Sequence, residues 1–197
     1  MYVYKKLPPS HKGNQIASIA LEQSRVLSRL IRIASALLAA AVFGLGFLLF
    51  PASALTQMQD PFWKLVAMML GMMAVSLVHE LLRGFLMRLF SGVKPILRYV
   101  GSYPQAACEA YFARPVQQVL NLVPPAAVIA LAACFVLLAG SDSWRWVAWL
   151  VFTVAVCSQV GDVYVAWRLT RLPSDILVMN VGPTYLIYSA GKKEDEM

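Results

Sequence analysis

Four long apolar segments, separated by short polar stretches, dominate the sequence of this 197-residue chain. A helix needs roughly 20 mostly apolar residues to cross about 30 Å of hydrocarbon, and four windows meet this requirement. They are residues 30–50, residues 62–82 with a more polar extension to residue 90, residues 116–140 and residues 144–169. The pattern predicts an all-α membrane protein with four transmembrane helices, in which residues 30–169 form the membrane domain.

Two shorter stretches lack helical periodicity and are rich in residues that favour strands. They predict two hairpins, one within residues 94–113 and one within residues 170–197, which end in a charged tail. The strands would be residues 96–100 with 106–112, and residues 176–179 with 185–188. A two-stranded hairpin alone is marginal in water. We therefore expect the two hairpins to pair or to lie against the helices, as a small cytoplasmic hairpin element or sheet.

The N-terminal segment, residues 1–29, mixes polar and apolar positions. Residues 14–29 place isolated Ile and Leu residues among polar ones, which predicts an amphipathic surface helix before the first span. Basic residues are retained on the cytoplasmic side during insertion. They concentrate in this segment and in the middle connection, at Lys5, Lys6, Lys12, Arg25, Arg29, Arg88, Lys94, Arg98 and Arg114. The charge pattern predicts a multi-pass protein of the cell membrane with both termini in the cytoplasm.

The composition agrees with a lipid environment. Hydrophobic residues make up 59% of the chain and charged residues 14%, which excludes an ordinary soluble domain with a water-compatible surface. The net charge of +7 follows from the basic cytoplasmic positions and their attraction to anionic headgroups. We therefore expect the lipid bilayer to be the partner of the basic surface, and we expect no nucleic acid.

Small, aromatic and proline residues indicate how the spans pack. Close helix approach is predicted at Gly44, Gly46 and Gly71. An outer aromatic belt is predicted from Trp63, Trp144, Trp146 and Trp149. Pro124 and Pro125 predict a kink in the third span, where Asn121 or nearby backbone would satisfy the freed polar groups.

Ionisable side chains inside a span are costly and point to function. His79 and Glu80 lie in the inner half of the second span, and Asp162 lies in the fourth. Counted from the outer ends of their spans at 1.5 Å per residue, His79 and Asp162 lie roughly 26 and 27 Å deep. We therefore expect an imidazole and a carboxylate at the same level near the cytoplasmic face, where they would share one site.

The stretch His79-Glu80-Leu81-Leu82-Arg83 is similar to the zinc-protease motif His-Glu-x-x-His. The motif, the following hairpin, the Pro-containing span and Gly161-Asp162 occur in that order over residues 70–188. This order resembles a bacterial family of unknown function described as zincin peptidases, which looks related to site-2 intramembrane metalloproteases. The resemblance implies zinc ligands at His79, position 83 and Asp162, with Glu80 as the general base. It also implies that the hairpin after the motif holds an extended peptide by strand addition.

Arg83 occupies the position of the second histidine in that motif. A guanidinium stays protonated and cannot donate a lone pair to a metal, whereas a catalytic zinc keeps three protein ligands. His11 or Glu80 would have to supply the missing ligand, and Glu80 would then be lost as the base. We expect instead that Arg83 pairs with its neighbours in a polar cluster of His79, Glu80, Arg83 and Asp162, without a cofactor.

Three functions remain consistent with the sequence. The favoured one is a pseudoprotease, a non-catalytic binding or scaffolding protein that docks a membrane protein or an extended peptide on the cytoplasmic hairpin. The second is an active intramembrane zinc metalloprotease with atypical ligands, in which Glu80 is catalytic and His79 and Asp162 bind the metal. The third is an accessory subunit of a larger membrane complex. Metal analysis separates the second function from the other two.

Overall fold

The computed structural model describes residues 3–8, 15–21, 24–56, 59–100, 103–182 and 184–189. The protein is mostly helical, with a small antiparallel sheet. The helices are α1 (Arg25–Leu49), α2 (Ser53–Thr56), α3 (Pro61–Ser91), α4 (Arg114–Leu138), α5 (Asp142–Cys157) and α6 (Val160–Thr170). The strands are β1 (Val3–Tyr4), β2 (Gln15–Ala20), β3 (Ile96–Val100), β4 (Tyr103–Ala113), β5 (Leu177–Asn180) and β6 (Thr184–Tyr188).

Four helical segments in the described part of the chain are long and apolar enough to cross a membrane. They are α1, α3, α4 and the segment Asp142–Thr170, which contains α5 and α6. Each overlaps one of the four apolar windows of the sequence. Only 6% of the apolar window of α1 is buried, and Leu37 and Leu48 are 68% and 82% exposed. An apolar surface of this extent is consistent with a membrane protein.

The fourth segment is divided into two helices where the sequence predicts one span. Ser158 and Gln159 form a turn, in which the Gln159 N–H donates to the Val156 carbonyl at 3.3 Å. This three-residue spacing tightens the end of α5. Since α6 begins at Val160, Asp162 lies in its first turn, where the positive end of the helix dipole favours a carboxylate.

The sheet joins the two predicted hairpins. Its strand order is β1-β4-β5-β6-β2, and β3 also pairs with β4. The first hairpin is β3 with β4, and the second is β5 with β6. They meet through antiparallel pairing of β4 with β5, which places Cys108 opposite Asn180. The predicted pairing of the hairpins is therefore present.

The N-terminal segment differs from the prediction. Residues 15–20 form β2, an edge strand antiparallel to β6, and not part of an amphipathic helix. Ala17 and Ile19 are more buried than Ile16 and Ser18, and this alternation has the two-residue period of a strand. The prediction was wrong here because the C-terminal hairpin offers a pairing partner that overrides the local pattern.

The described residues form two compact units. One contains Arg29–His79 and Val123–Gly161, and the other contains Met1–Ser28, Glu80–Leu122 and Asp162–Met197. The sheet belongs to the second unit. Its buried side chains include two clusters, one around Phe112, Met87 and Leu120 and one around Ile187 and Val165.

In the other unit, two tryptophans of α5 pack against α1. Trp146 is fully buried and Trp149 is 7% exposed, and the indole N–H of Trp149 donates to the Val42 carbonyl at 3.1 Å. These two residues are core residues, and their assignment to the aromatic belt was wrong. The predicted close approach occurs at Gly46, where a Cβ would lie 2.5 Å from the Trp149 nitrogen, but nothing lies within 4 Å of a Cβ at Gly44.

Candidate functional site

Glu80 and Arg83 of α3 and Asp162 of α6 form a buried ionic cluster within the unit that contains the sheet. Arg83 Nη1 donates to Glu80 Oε1 at 3.2 Å, and Arg83 Nη2 forms an ion pair with Asp162 Oδ1. Glu80, Arg83 and Asp162 are 7%, 6% and 9% exposed, respectively. One guanidinium therefore bridges two carboxylates that are largely removed from water.

The second oxygen of Glu80 is held by the sheet. The backbone N–H of Ala106 in β4 donates to Glu80 Oε2 at 2.7 Å. Charge-assisted hydrogen bonds of this kind are about twice as strong as neutral ones. Both carboxylate oxygens of Glu80 are therefore engaged, and this bond fixes α3 to β4.

Local helix geometry explains why the cluster forms. Glu80 and Arg83 are three residues apart on α3, so their side chains lie on one face of the helix. Two carboxylates and one guanidinium leave a formal charge of −1. The helix dipole at the first turn of α6 and the Ala106 N–H offset part of this charge, because both present partial positive charge to a carboxylate.

Buried polar side chains surround this cluster. The Tyr185 hydroxyl donates to Asn121 Oδ1 at 3.5 Å, and Gln117 Nε2 donates to the same oxygen at 3.0 Å. Burial raises the pKa of Tyr185 above its ordinary value of 10.0; Arg83 opposes the shift and Asp162 adds to it. The phenol is therefore neutral and acts as a hydrogen-bond donor.

These buried polar residues were not predicted as part of the site. We expected Asn121 or nearby backbone to satisfy the polar groups freed by Pro124 and Pro125, which both lie inside α4; Asn121 Oδ1 accepts hydrogen bonds from Gln117 and Tyr185. The signal was available in the sequence. Gln117 and Asn121 are four residues apart on an apolar helix, so they share one face.

His79 is buried on α3 directly before Glu80 and belongs to the other unit. It lies four residues before Arg83, so both side chains point to one side of the helix. Its predicted match in depth with Asp162 stays a prediction. His11, the other candidate ligand, lies outside the described residues.

These residues do not fit a catalytic zinc site. Such a site needs three donors with free lone pairs, and position 83 carries a guanidinium, which has none. That guanidinium also forms ion pairs with Glu80 and Asp162, the groups that would serve as base and ligand. Within the described ranges, no group of three or more His, Cys, Asp or Glu residues is arranged to hold a metal ion.

Comparison with known protein families gives a match that includes the residues of the cluster. A family model described as "putative zincin peptidase" matches residues 72–177, which is more than half of the chain and includes His79, Glu80, Arg83 and Asp162. No curated protein and no solved structure matches the chain. The extent of the family match shows that the chain belongs to this zincin peptidase family.

Proposed function

We propose that this protein is a multi-pass protein of the cell membrane in which an ionic cluster replaces the zincin metal site, and that it acts as a non-catalytic binding or scaffolding protein. One observation carries the proposal. The Arg83 guanidinium contacts the carboxylates of both Glu80 and Asp162. In a zincin of this family, the carboxylate at position 80 would act as the base and the carboxylate at position 162 would bind the metal.

Arg83 can neutralise carboxylates, but it cannot perform the chemistry of a zinc ion. A zinc ion polarises a carbonyl as a Lewis acid and lowers the pKa of bound water to about 7, and a guanidinium does neither. Glu80 is also held by Arg83 and by the Ala106 N–H, so it would have to break these bonds to act as a base. The cluster therefore favours a stable fold over hydrolysis.

Metal analysis of the purified full-length chain tests this proposal. We expect far less than about one zinc ion per chain, because only His79 and Asp162 remain as ligands beside a retained Glu80. The Arg83→His variant restores the second imidazole and should bind about one zinc ion per chain. Adding His79→Ala to that variant should abolish the binding.

The opposite result would favour an active metalloprotease. A wild-type chain that carries about one zinc ion, and loses it on His79→Ala, would show that atypical ligands complete the site. Gel analysis of cleavage of a membrane-anchored substrate, with Glu80→Gln as the control, would then identify the base.

The binding part of the proposal concerns the edge of β3. Among the described strands, β3 pairs with β4 alone, so its other edge can accept an added strand. Ile96 and Leu97 are adjacent, so their side chains point to opposite faces, yet they are 48% and 43% exposed. An extended peptide, or a segment of a membrane protein, would cover both side chains.

Site-specific photo-crosslinking in cells tests this docking surface. A crosslinker at Leu97 should capture a partner. The matched control is Ile16, which is 48% exposed on β2 at the other end of the sheet. Equal capture at both positions would contradict docking at β3. Capture of several large proteins at exposed positions on the helices, with none at Leu97, would support an accessory subunit.

Reporter fusions test the proposed orientation. A reporter that fluoresces only in the cytoplasm should be active when it follows the C-terminus, because basic residues concentrate on that side. The same reporter inserted at Gly140, between α4 and α5, should be inactive. The reverse pattern would overturn the proposed topology.

A further inference from the structure

A cavity of about 490 Å³ lies in the unit that contains the sheet, and none of the three residues of the ionic cluster lines it. Its walls come from β2 and β6, from the C-terminal part of α6 and from the start of α1. The cavity is therefore separate from the site described above. Its lining has two chemical characters, one polar and one apolar.

The polar part of the cavity consists of hydrogen-bond donors. Arg168, Tyr164 and Ser24 line it with side chains that carry hydrogen-bond donors, and no carboxylate among the described residues lines it. The Arg168 side chain makes no hydrogen bond or ion pair to another described residue. Ser24 Oγ accepts the Leu27 N–H at 3.4 Å, which leaves its own proton to donate. An arginine among hydroxyl donors suits an anion with several oxygens, such as a phosphate.

The apolar part of the lining suits a ligand that is not a simple anion. Ile19 and Ile187 are buried core residues, and Leu27 and Leu172 are half-buried at its wall. A free phosphate would gain nothing from these side chains. A molecule with an anionic head and an apolar tail would use both parts of the lining.

The position of the cavity along the helices indicates the source of such a molecule. The cavity lies where α6 ends and α1 begins, and both belong to apolar segments long enough to cross a membrane. Val26 of α1 and Trp167 of α6 each directly precede a residue that lines the cavity, and they are 69% and 51% exposed. In a bilayer, the ends of spanning helices lie at the level of the lipid headgroups.

We propose that this cavity binds the phosphate headgroup of an anionic phospholipid, with Arg168 as its main contact and the apolar wall against the first part of the acyl chains. The proposal depends on the membrane placement given above. It does not depend on the loss of zinc, so the two can fail separately.

The test measures lipid binding to the full-length chain in an uncharged detergent by native mass spectrometry. The probes are dioleoyl phosphatidylglycerol and dioleoyl phosphatidylcholine, which share their acyl chains. We expect phosphatidylglycerol to bind more tightly. Arg168→Gln should weaken its binding about tenfold, as expected for the loss of a charge-assisted hydrogen bond.

Arg171→Gln is the matched control, because Arg171 lies three residues later, is exposed and does not line the cavity. Its guanidinium lies over the Trp167 ring, 5.3 Å from the ring centre. This variant should change binding less than about twofold, as for a surface charge outside the site. Equal weakening in the two variants would overturn the proposal in favour of general surface attraction.

Two further measurements complete the test. Tyr164→Phe leaves the charge of the chain unchanged and should weaken phosphatidylglycerol binding about fivefold, which keeps the proposal testable if Arg168→Gln does not fold. Unchanged binding in Tyr164→Phe would contradict the proposed contact. Glycerol 3-phosphate should not displace the lipid at equal concentration. Displacement at equal concentration would show that the cavity takes soluble phosphates, and would overturn a lipid site.

Discussion

Replacing Arg83 by methionine removes the one positive charge from the ionic cluster and keeps a long side chain in its place. Glu80 and Asp162 would then be two buried carboxylates that have lost the guanidinium between them, and their side chains are only 9% and 11% exposed. The Ala106 N–H would still reach Glu80, but the ion pair between Arg83 and Asp162 would be lost.

The expected cost is large. Removing one partner of a buried ion pair typically destabilises a protein by about 3–5 kcal/mol, because a charge is left without compensation in a medium of low polarity. Arg83 pairs with two carboxylates, so we expect a value in the upper part of that range. For a chain of this size, this corresponds to a fall in the melting temperature of roughly 6–20 °C.

The assay is thermal unfolding of the purified chain in detergent, followed by circular dichroism. Arg88→Met is the control, because Arg88 is exposed on the same helix and should cost less than about 0.5 kcal/mol. Adding Glu80→Gln and Asp162→Asn to Arg83→Met should recover most of the lost stability, because neutral replacement of a whole buried cluster is often close to neutral. Equal melting temperatures for the two arginine variants, or no recovery in the triple variant, would refute the reasoning.

Three further predictions concern packing and pH. Gly46→Ala should cost about 1–3 kcal/mol through a clash with a buried indole, whereas Gly44→Ala on the same helix should be neutral or stabilising; thermal unfolding distinguishes them. Gly182→Ala should cost about 1–2 kcal/mol, because the backbone there has φ +87°, and Gly140→Ala is its control in the same assay. Because the pKa of Tyr185 is raised in the folded state, its contribution to the free energy of unfolding is complete below pH 10.0 and decreases above it. Urea unfolding should show that the free energy of unfolding falls more steeply with alkaline pH in the wild type than in Tyr185→Phe, by at most about 1.4 kcal/mol per pH unit.

The sequence predicted the four long helical segments and the two hairpins because each follows a local pattern. Apolar length marks the four helical segments that are long enough to cross a membrane, and turn residues between β-favouring stretches mark the two hairpins. The N-terminal strands could not be found in this way. Strand β1 has two residues and pairs with β4, and strand β2 has six residues and pairs with β6. Both partners lie more than 100 residues away in the sequence, so nothing local marks β1 and β2 as strands.

The candidate site shows the same division. His79, Glu80 and Asp162 were found because ionisable residues are rare in apolar segments, and Arg83 was found by its place in a motif. The Ala106 N–H could not be found, because every residue other than proline carries a backbone N–H and only the fold selects one of them. The burial of Trp146 was missed for a related reason: an amphipathic indole suits an interface, and only the fold supplies the Pro51 carbonyl that accepts its N–H at 3.1 Å.

The bond between Glu80 and Ala106 connects the ionic cluster to the proposed docking strand. Ala106 lies opposite Leu97 in the pairing of β3 with β4, yet its N–H is directed to Glu80 and not to β3. In an antiparallel pair, the backbone groups of successive residues point alternately toward the partner strand and away from it. At Ala106 they point away from β3, so the cluster bonds to one edge of β4 and β3 pairs with the opposite edge. Glu80, which would activate water in an active peptidase, here accepts a hydrogen bond from β4, the strand that pairs with β3. The cluster therefore holds β4, the strand with which β3 pairs.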